Sequence, residues 1–257
     1  MPESLFAVPP SRLVPSEEPV FCFTTDIEWA PEWAIDDVLT FFAERQLPLT
    51  PFLTHRSAVF SSHYGRPGMH TRVGLHPNFL QGSSHGKTSD EVVTTSFDLW
   101  PQARGFRSHY FYEDSRSIAA LAQRGMRWDS NLCLFLQPDC VPLLHHTGLV
   151  RFPVFWEDDV HFGRGIPCDF EPLRTYFEGP GLKVINLHPL LFALNVPTPE
   201  FYAEHKHLNG NPDPEAGRRA RCRSAGTRTF VEQLADHVRA RGAAVRWLDD
   251  LYLDLSS

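Results

Sequence analysis

The sequence has no apolar stretch near the ~18 residues that a membrane-spanning helix requires; runs such as Leu132–Leu136 and Leu190–Leu194 are far shorter. The first twenty residues contain no uninterrupted apolar core. Pro2, Glu3, Pro9, Pro10, Pro15, Glu17 and Glu18 break them up, so no secretory signal is expected. A long basic tract is also missing. Lys and Arg number 24 against 31 Asp and Glu, a formal charge of −7, which argues against a general nucleic-acid binder resting on phosphate contacts. Cysteine is scarce: Cys22, Cys133, Cys140, Cys168 and Cys222 are odd in number and never spaced C-x-x-C. That argues against a disulfide framework or a cysteine-built zinc site, and a cytoplasmic protein with reduced thiols is expected.

What is present suits a packed enzyme core. Apolar residues make up 42% of 257, with 20 Phe, 6 Tyr and 6 Trp, enough to bury a sizeable interior and to exclude disorder. The 22 prolines imply many ordered loops rather than long helices. Internal repeats and low-complexity segments are absent, and no composition break divides the chain. One domain over 1–257 is therefore expected, with an N-terminal arm at 1–18 and an Arg-rich loop at 205–224.

Pro19–Asp26 reads as a buried strand, Glu32–Gln46 as an amphipathic helix and Leu49–Leu53 as a second strand. This β–α–β opening predicts parallel strands with a right-handed crossover. Further strands are predicted at Thr71–Leu75, Phe106–Tyr110, Leu149–Phe155, Lys183–Leu187 and Ala243–Leu248. Helices are predicted at Ser89–Ala103, Ser115–Arg124 and Thr227–Arg241, with Ser89 and Ser115 as N-caps.

Chemistry-bearing residues collect at the predicted strand ends. Asp26 and Glu28, two apart, project from one face, so both carboxylates can enter one site or simply end a solvated strand. His76 and His85 flank a Pro- and Gly-containing loop, and imidazole with carboxylate is a common ligand set for zinc-class metals. His188 ends an apolar strand, where a histidine acts as a general acid or packs into the core. Arg107 can hold a carboxylate bidentately. The clusters Asp129-Ser130-Asn131 and Trp156-Glu157-Asp158-Asp159 can orient a histidine or a ligand, or serve as turns and caps. Trp29, Trp33, Trp100 and Trp156 can stack on sugar rings or fill the core, and the arginines at 218, 219, 221 and 223 can meet a phosphate or remain solvated.

The order of the motifs adds specificity. Thr-Thr-Asp-Ile-Glu, Gly-Leu-His, Phe-Arg-Ser-His, Arg-Trp-Asp-Ser-Asn and Asn-Leu-His-Pro, in that sequence, resemble the polysaccharide deacetylases with the NodB-type homology domain. Gly-Leu-His-Pro-Asn-Phe and Phe-Trp-Glu-Asp-Asp look like the branch associated with O-antigen biosynthesis. The resemblance runs from about Phe21 to His188. It implies an α/β fold, a distorted (β/α) barrel of about seven strands, and metal-dependent removal of an N- or O-acetyl group from a sugar or polysaccharide precursor. Asp26 would be the catalytic base, fixed by Arg107, and Glu28 and His76 metal ligands. His188 would be the general acid, tuned by a carboxylate such as Asp129. The position four residues beyond His76, where the family commonly has its second histidine, is Leu80, so His85 is expected instead. Trp156, Asp158 and Asn78 are expected to bind substrate, a small molecule or oligosaccharide bearing an acetamido group. Zinc is the first expectation for the metal, with Ni, Co, Mn or Fe as alternatives. A sugar-binding protein of the same fold without catalysis, and a glycoside hydrolase using Glu28 and Glu157, are the rival readings.

Overall fold

β1 (Pro19–Asp26) is buried on both faces apart from half-buried Val20, which suits a central parallel strand covered on both sides. In the computed structural model, which describes residues 8, 9, 12–14, 16–65, 69 and 72–257, this strand holds the middle of a curled sheet. Much of the expected N-terminal arm, and Thr71 at the start of an expected strand, lie outside the described residues. β1 pairs in parallel with β2 (Leu49–Leu53) through Phe23–Leu49 and Asp26–Phe52, and along nearly its whole length with β9 (Gly181–Leu187).

The remaining strands are β3 (Gly74–Leu75), β4 (Gly105–Phe106), β5 (Trp128–Asp129), β6 (Leu143–Leu144), β7 (Val150–Arg151), β8 (Val154–Glu157) and β10 (Ala244–Val245). Their order is β6-β7-β5-β4-β3-β2-β1-β9-β8, with β10 added beside β1. Every pairing is parallel except β6 with β7. The segment Leu132–Leu136 bridges toward β8: Leu134 N–H donates to Val154 O at 2.8 Å and Leu136 N–H to Phe155 O at 2.7 Å. This curled, barrel-like α/β sheet is the expected architecture, built from several strands of only two residues.

Local sequence explains the departures. Pro153 interrupts the expected strand Leu149–Phe155, which forms as β7 and β8. The helix Ser89–Leu99 is capped by Thr88, whose hydroxyl accepts from Glu91 N–H while the Glu91 side chain returns to Thr88, so the cap lies one residue before the expected Ser89. Asp114, not Ser115, caps Ser115–Gln123. The expected loop at 205–224 contains a 3₁₀ turn, Lys206–Gly210, and a helix, Pro214–Ala220, with proline at its start and Asp213 as its cap. Three of its four arginines named above have protein partners: Arg218 meets Glu215, Arg219 meets Asp213, and Arg221 meets Asp37 at 2.8 Å and Ala193 O at 2.7 Å. The helix Thr227–Ala240 buries Phe230, Val231, Leu234 and Val238 as its period predicts.

Two glycines let the sheet close tightly. Gly74 and Gly105 are register partners. A Cβ on Gly74 would lie 2.3 Å from the Phe52 ring, and one on Gly105 would lie 2.2 Å from Trp128. The space is taken by Phe52 and Trp128, both buried, meeting edge to face at 6.0 Å. Gly105→Ala is expected to lower stability by about 1–3 kcal/mol through overpacking, read as a lower urea midpoint at unchanged slope. An unchanged midpoint would show that Trp128 moves aside freely.

Candidate active site

The site occupies the C-terminal ends of the parallel strands, where βα-loops gather side chains from many strands. It forms two tiers. In the lower tier Asp26, Arg107 and Asn186, from the ends of β1, β4 and β9, meet below the surface. Arg107 NH1 donates to Asp26 Oδ1 at 2.9 Å, to Asn186 Oδ1 at 2.5 Å and to Thr24 Oγ1 at 3.1 Å. Its Nε and NH2 donate to Ser130 O and Oγ at 3.0 and 2.8 Å, and its guanidinium lies 4.4 Å over the Phe52 ring. Asn186 Nδ2 donates to Asp26 Oδ2 at 2.9 Å and to Glu157 Oε1 at 2.7 Å.

Two residues further along the chain in each case, past the ends of β1, β4 and β9, Glu28, His109 and His188 form the upper tier, joined by His76 from the end of β3. Glu28 Oε1 lies 2.7 Å from His109 Nδ1 and 3.6 Å from His76 Nε2, and Glu28 Oε2 lies 3.7 Å from His188 Nε2. The two ligand-like nitrogens, His76 Nε2 and His109 Nδ1, are 3.4 Å apart. Two pairs of non-glycine residues in the left-handed region, Glu28-Trp29 at φ 43° and 55° and Tyr110-Phe111 at 57° and 51°, flank this tier. Such backbone strain clusters at functional sites.

Asp158 secures His188 twice. Its Oδ1 lies 2.6 Å from His188 Nδ1 and its Oδ2 accepts the His188 backbone N–H at 2.9 Å. Burial works against charge on His188, but the carboxylates of Asp158, Glu28 and Asp159 hold its pKa well above the ordinary imidazole value. For Glu28 burial likewise disfavours charge; His188, then His109 and His76, outweigh it and hold the carboxyl well below its usual range. A cavity of about 410 Å³ opens over both tiers, with Tyr110, Phe111, Phe162, Leu190 and Tyr202 among its walls.

With this geometry in place, the comparisons are specific. A family model described as WbmS-like polysaccharide deacetylase matches residues 23–206. The chain belongs to the WbmS-like polysaccharide deacetylases. It is similar to a Bordetella bronchiseptica protein assigned as a polysaccharide deacetylase involved in O-antigen biosynthesis. That structure is 25% identical, with a TM-score of 0.76, covering 86% of this chain and 91% of the other. A Mycobacterium smegmatis polysaccharide deacetylase structure is a looser likeness, 17% identical with a TM-score of 0.45, over 94% of this chain and 98% of that one. No curated protein matches.

In this WbmS-like chain the structure brings Asp26, Glu28, His76, Arg107 and His188 together, and it corrects five other assignments. His85 is not in the ligand cluster: Asn78 N–H donates to its Nδ1 at 3.2 Å and its Nε2 meets Thr54 O at 2.7 Å. Burial lowers its pKa, so it stays a neutral loop strut. His109, two residues past Arg107, takes the place expected for His85. Asp129 does not tune His188; it is paired with Arg151 through bonds of 2.8 and 3.2 Å. Asp158, expected on substrate, is the residue that contacts His188. Trp156 is core: it stacks on Phe230 at 4.7 Å and its Nε1 donates to His161 Nδ1 at 3.0 Å. The Asn78 side chain accepts Leu80 N–H at 3.0 Å, closing its own turn rather than lining the cavity. Asn186 and His109 were missed. The signal for both was the i, i+2 spacing already noted for Asp26 and Glu28, repeated in Arg107–His109 and Asn186–His188.

The cluster of Glu28, His76 and His109 suits a metal ion. Tetrahedral bonds of about 2.0–2.1 Å set neighbouring ligand atoms about 3.3 Å apart, and the three donors here stand 2.7, 3.4 and 3.6 Å from one another. His76 Nδ1 is buried without a hydrogen-bond partner, its ring drawn toward this cluster, with Asp26 Oδ1 3.6 Å behind it. A carboxylate behind a ligating imidazole is the usual supporting arrangement. Zinc titration of metal-stripped protein by calorimetry is expected to find one tight site. His109→Ala should weaken it beyond the ~10–100-fold cost of losing an outer partner, and His85→Ala by less than about tenfold. Equal losses would return His85 to the ligand set.

Proposed function

We propose that the protein is a metal-dependent deacetylase that hydrolyses the N-acetyl, or O-acetyl, group of a sugar precursor in cytoplasmic surface-polysaccharide biosynthesis. The observation that carries this reading is the division of the site into a carboxylate held by arginine, a three-donor cluster, and a separate histidine held by its own carboxylate. The family membership and the likeness to the Bordetella protein support the acetyl-sugar chemistry and the O-antigen setting.

A divalent metal held by Glu28, His76 and His109 would supply an acidified water and a polarised acyl carbonyl at neutral pH. Asp26 takes the water proton. Arg107 and Asn186 are positioning residues for it: their bonds to both carboxylate oxygens orient the base. His188 carries the opposite duty. An amide nitrogen leaves poorly as an anion, so the leaving nitrogen must gain a proton, and His188 Nε2 supplies it. Asp158 bonds Nδ1, which fixes the ring's orientation and leaves Nε2 facing the cavity.

The test is acetate release from acetamido sugars by the zinc-loaded protein. His188→Ala is expected to retain zinc binding while kcat falls by about 10²–10⁴. Asp158→Asn should lower kcat with KM changed by less than about threefold, the signature of a lost transition-state contribution. Parallel loss of zinc binding and turnover in His188→Ala would overturn its assignment as the acid, and chelator-resistant glycosidase activity would overturn the reaction class.

A further inference from the structure

Glu157 ends β8, is 3% exposed and lines the cavity, yet the steps above give it no task. Its Oε1 accepts from Asn186 Nδ2, and the other hydrogen of that same nitrogen goes to Asp26. One amide thereby sets two carboxyl groups side by side, and Asp26, Glu157 and His188 each bring a polar atom within 4.8 Å of the other two. The cation is not shared between them. Arg107 bonds Asp26, Asn186, Thr24 and Ser130, and among the described residues no arginine or lysine forms an ion pair with Glu157. A buried carboxyl without a paired guanidinium or ammonium is favoured in its neutral form, and the nearby His188 is bonded through Nδ1 to Asp158 instead. Burial first, then the charges of Asp159 and Asp26 against those of His188 and Arg107, raise the Glu157 carboxyl well above the usual glutamate range. Because Oε1 already accepts from Asn186, the proton belongs on Oε2, at the cavity.

We propose that Glu157 binds substrate as a neutral carboxylic acid, donating from Oε2 to an uncharged hydroxyl of the sugar beside the acetamido group. This rests on the deacetylase reading and sharpens its substrate class. A carboxylate or phosphate at that position would face Asp26 and Glu28, whereas a hydroxyl oxygen accepts the bond without adding charge. Ionised, Glu157 would be an acceptor or a second base instead. Glutamine separates the two states, since its amide accepts from Asn186 through oxygen and donates through nitrogen, as the protonated acid does.

The experiment titrates N-acetylglucosamine into the zinc-loaded full chain, wild type, Glu157→Gln and Glu157→Ala, by saturation-transfer NMR, beside kcat and KM for acetate release. Glu157→Ala is expected to weaken binding about tenfold, roughly one hydrogen bond, and Glu157→Gln to recover it to within about threefold of the wild type. Wild type minus Glu157→Gln should show a protonated-carboxyl stretch in the infrared at neutral pH, a readout independent of turnover. Carboxylate bands there, a Gln variant as impaired in binding as Ala, or an Ala variant that binds like wild type would each overturn the proposal. Failure of wild-type binding would overturn the sugar assignment. Absent acetate release with the binding pattern intact would fail the deacetylase reading and leave Glu157 as a sugar contact.

Discussion

A buried guanidinium between a carboxylate and an amide organises this protein. Arg107 is almost fully buried and makes five hydrogen bonds to four residues on β1, β9 and the turn beyond β5. Removing one partner of such a pair typically costs about 3–5 kcal/mol, because the other charge is left stranded in a low-dielectric interior. The sheet's close strands, and Gly74, which admits Phe52 beneath the guanidinium, bring the partners within reach.

From that tier the turns beyond the strands do the rest. Past β1 the backbone turns at Glu28 and Trp29, φ 43° and 55°, and past β4 it enters a 3₁₀ turn at His109–Phe111, which gathers Glu28, His109 and His188 above Asp26, Arg107 and Asn186. The lower plane is nearly buried at the floor of the cavity and holds the base in one orientation. The upper plane borders the cavity and collects the groups suited to metal binding and proton delivery. Environment then separates chemically similar groups. Glu28 is drawn toward its charged form by three imidazoles, whereas for Glu157, a few ångströms from Asp26 and His188, burial and the neighbouring carboxylates outweigh His188 and Arg107. This separation of acid and base roles by surroundings is a general feature of hydrolytic sites.

Much of this was legible one strand at a time. Pro19–Asp26 and Leu49–Leu53 form as their apolar runs predict, and the strand-end positions of Asp26, His76 and His188 follow from local pattern, whereas Arg107, expected near the start of a strand Phe106–Tyr110, stands just past the end of β4. The errors were about partners. His85 and Asn78 sit close to His76 in sequence, but the loop turns the His85 ring onto Thr54 O and the Asn78 backbone N–H, and the Asn78 side chain onto Leu80 N–H. Asp129 was matched with His188 by motif order; in space Arg151, on the neighbouring strand, reaches it first. Trp156 shares a strand with Glu157 but faces the opposite side, against the final long helix.

By itself the sequence determined the parallel α/β plan, the single long amphipathic helix near the end, and the strand ends that carry carboxylate, imidazole and guanidinium. Those features depend on periodicity, turn residues and side-chain chemistry within a few residues. Only the tertiary structure decided which histidine joins Glu28, which carboxylate holds His188 and which acid lacks a cation. Asp26 and Arg107 stand 81 residues apart and Asp26 and Asn186 160, and their pairing is set by strand order and register across the sheet, which no local pattern encodes.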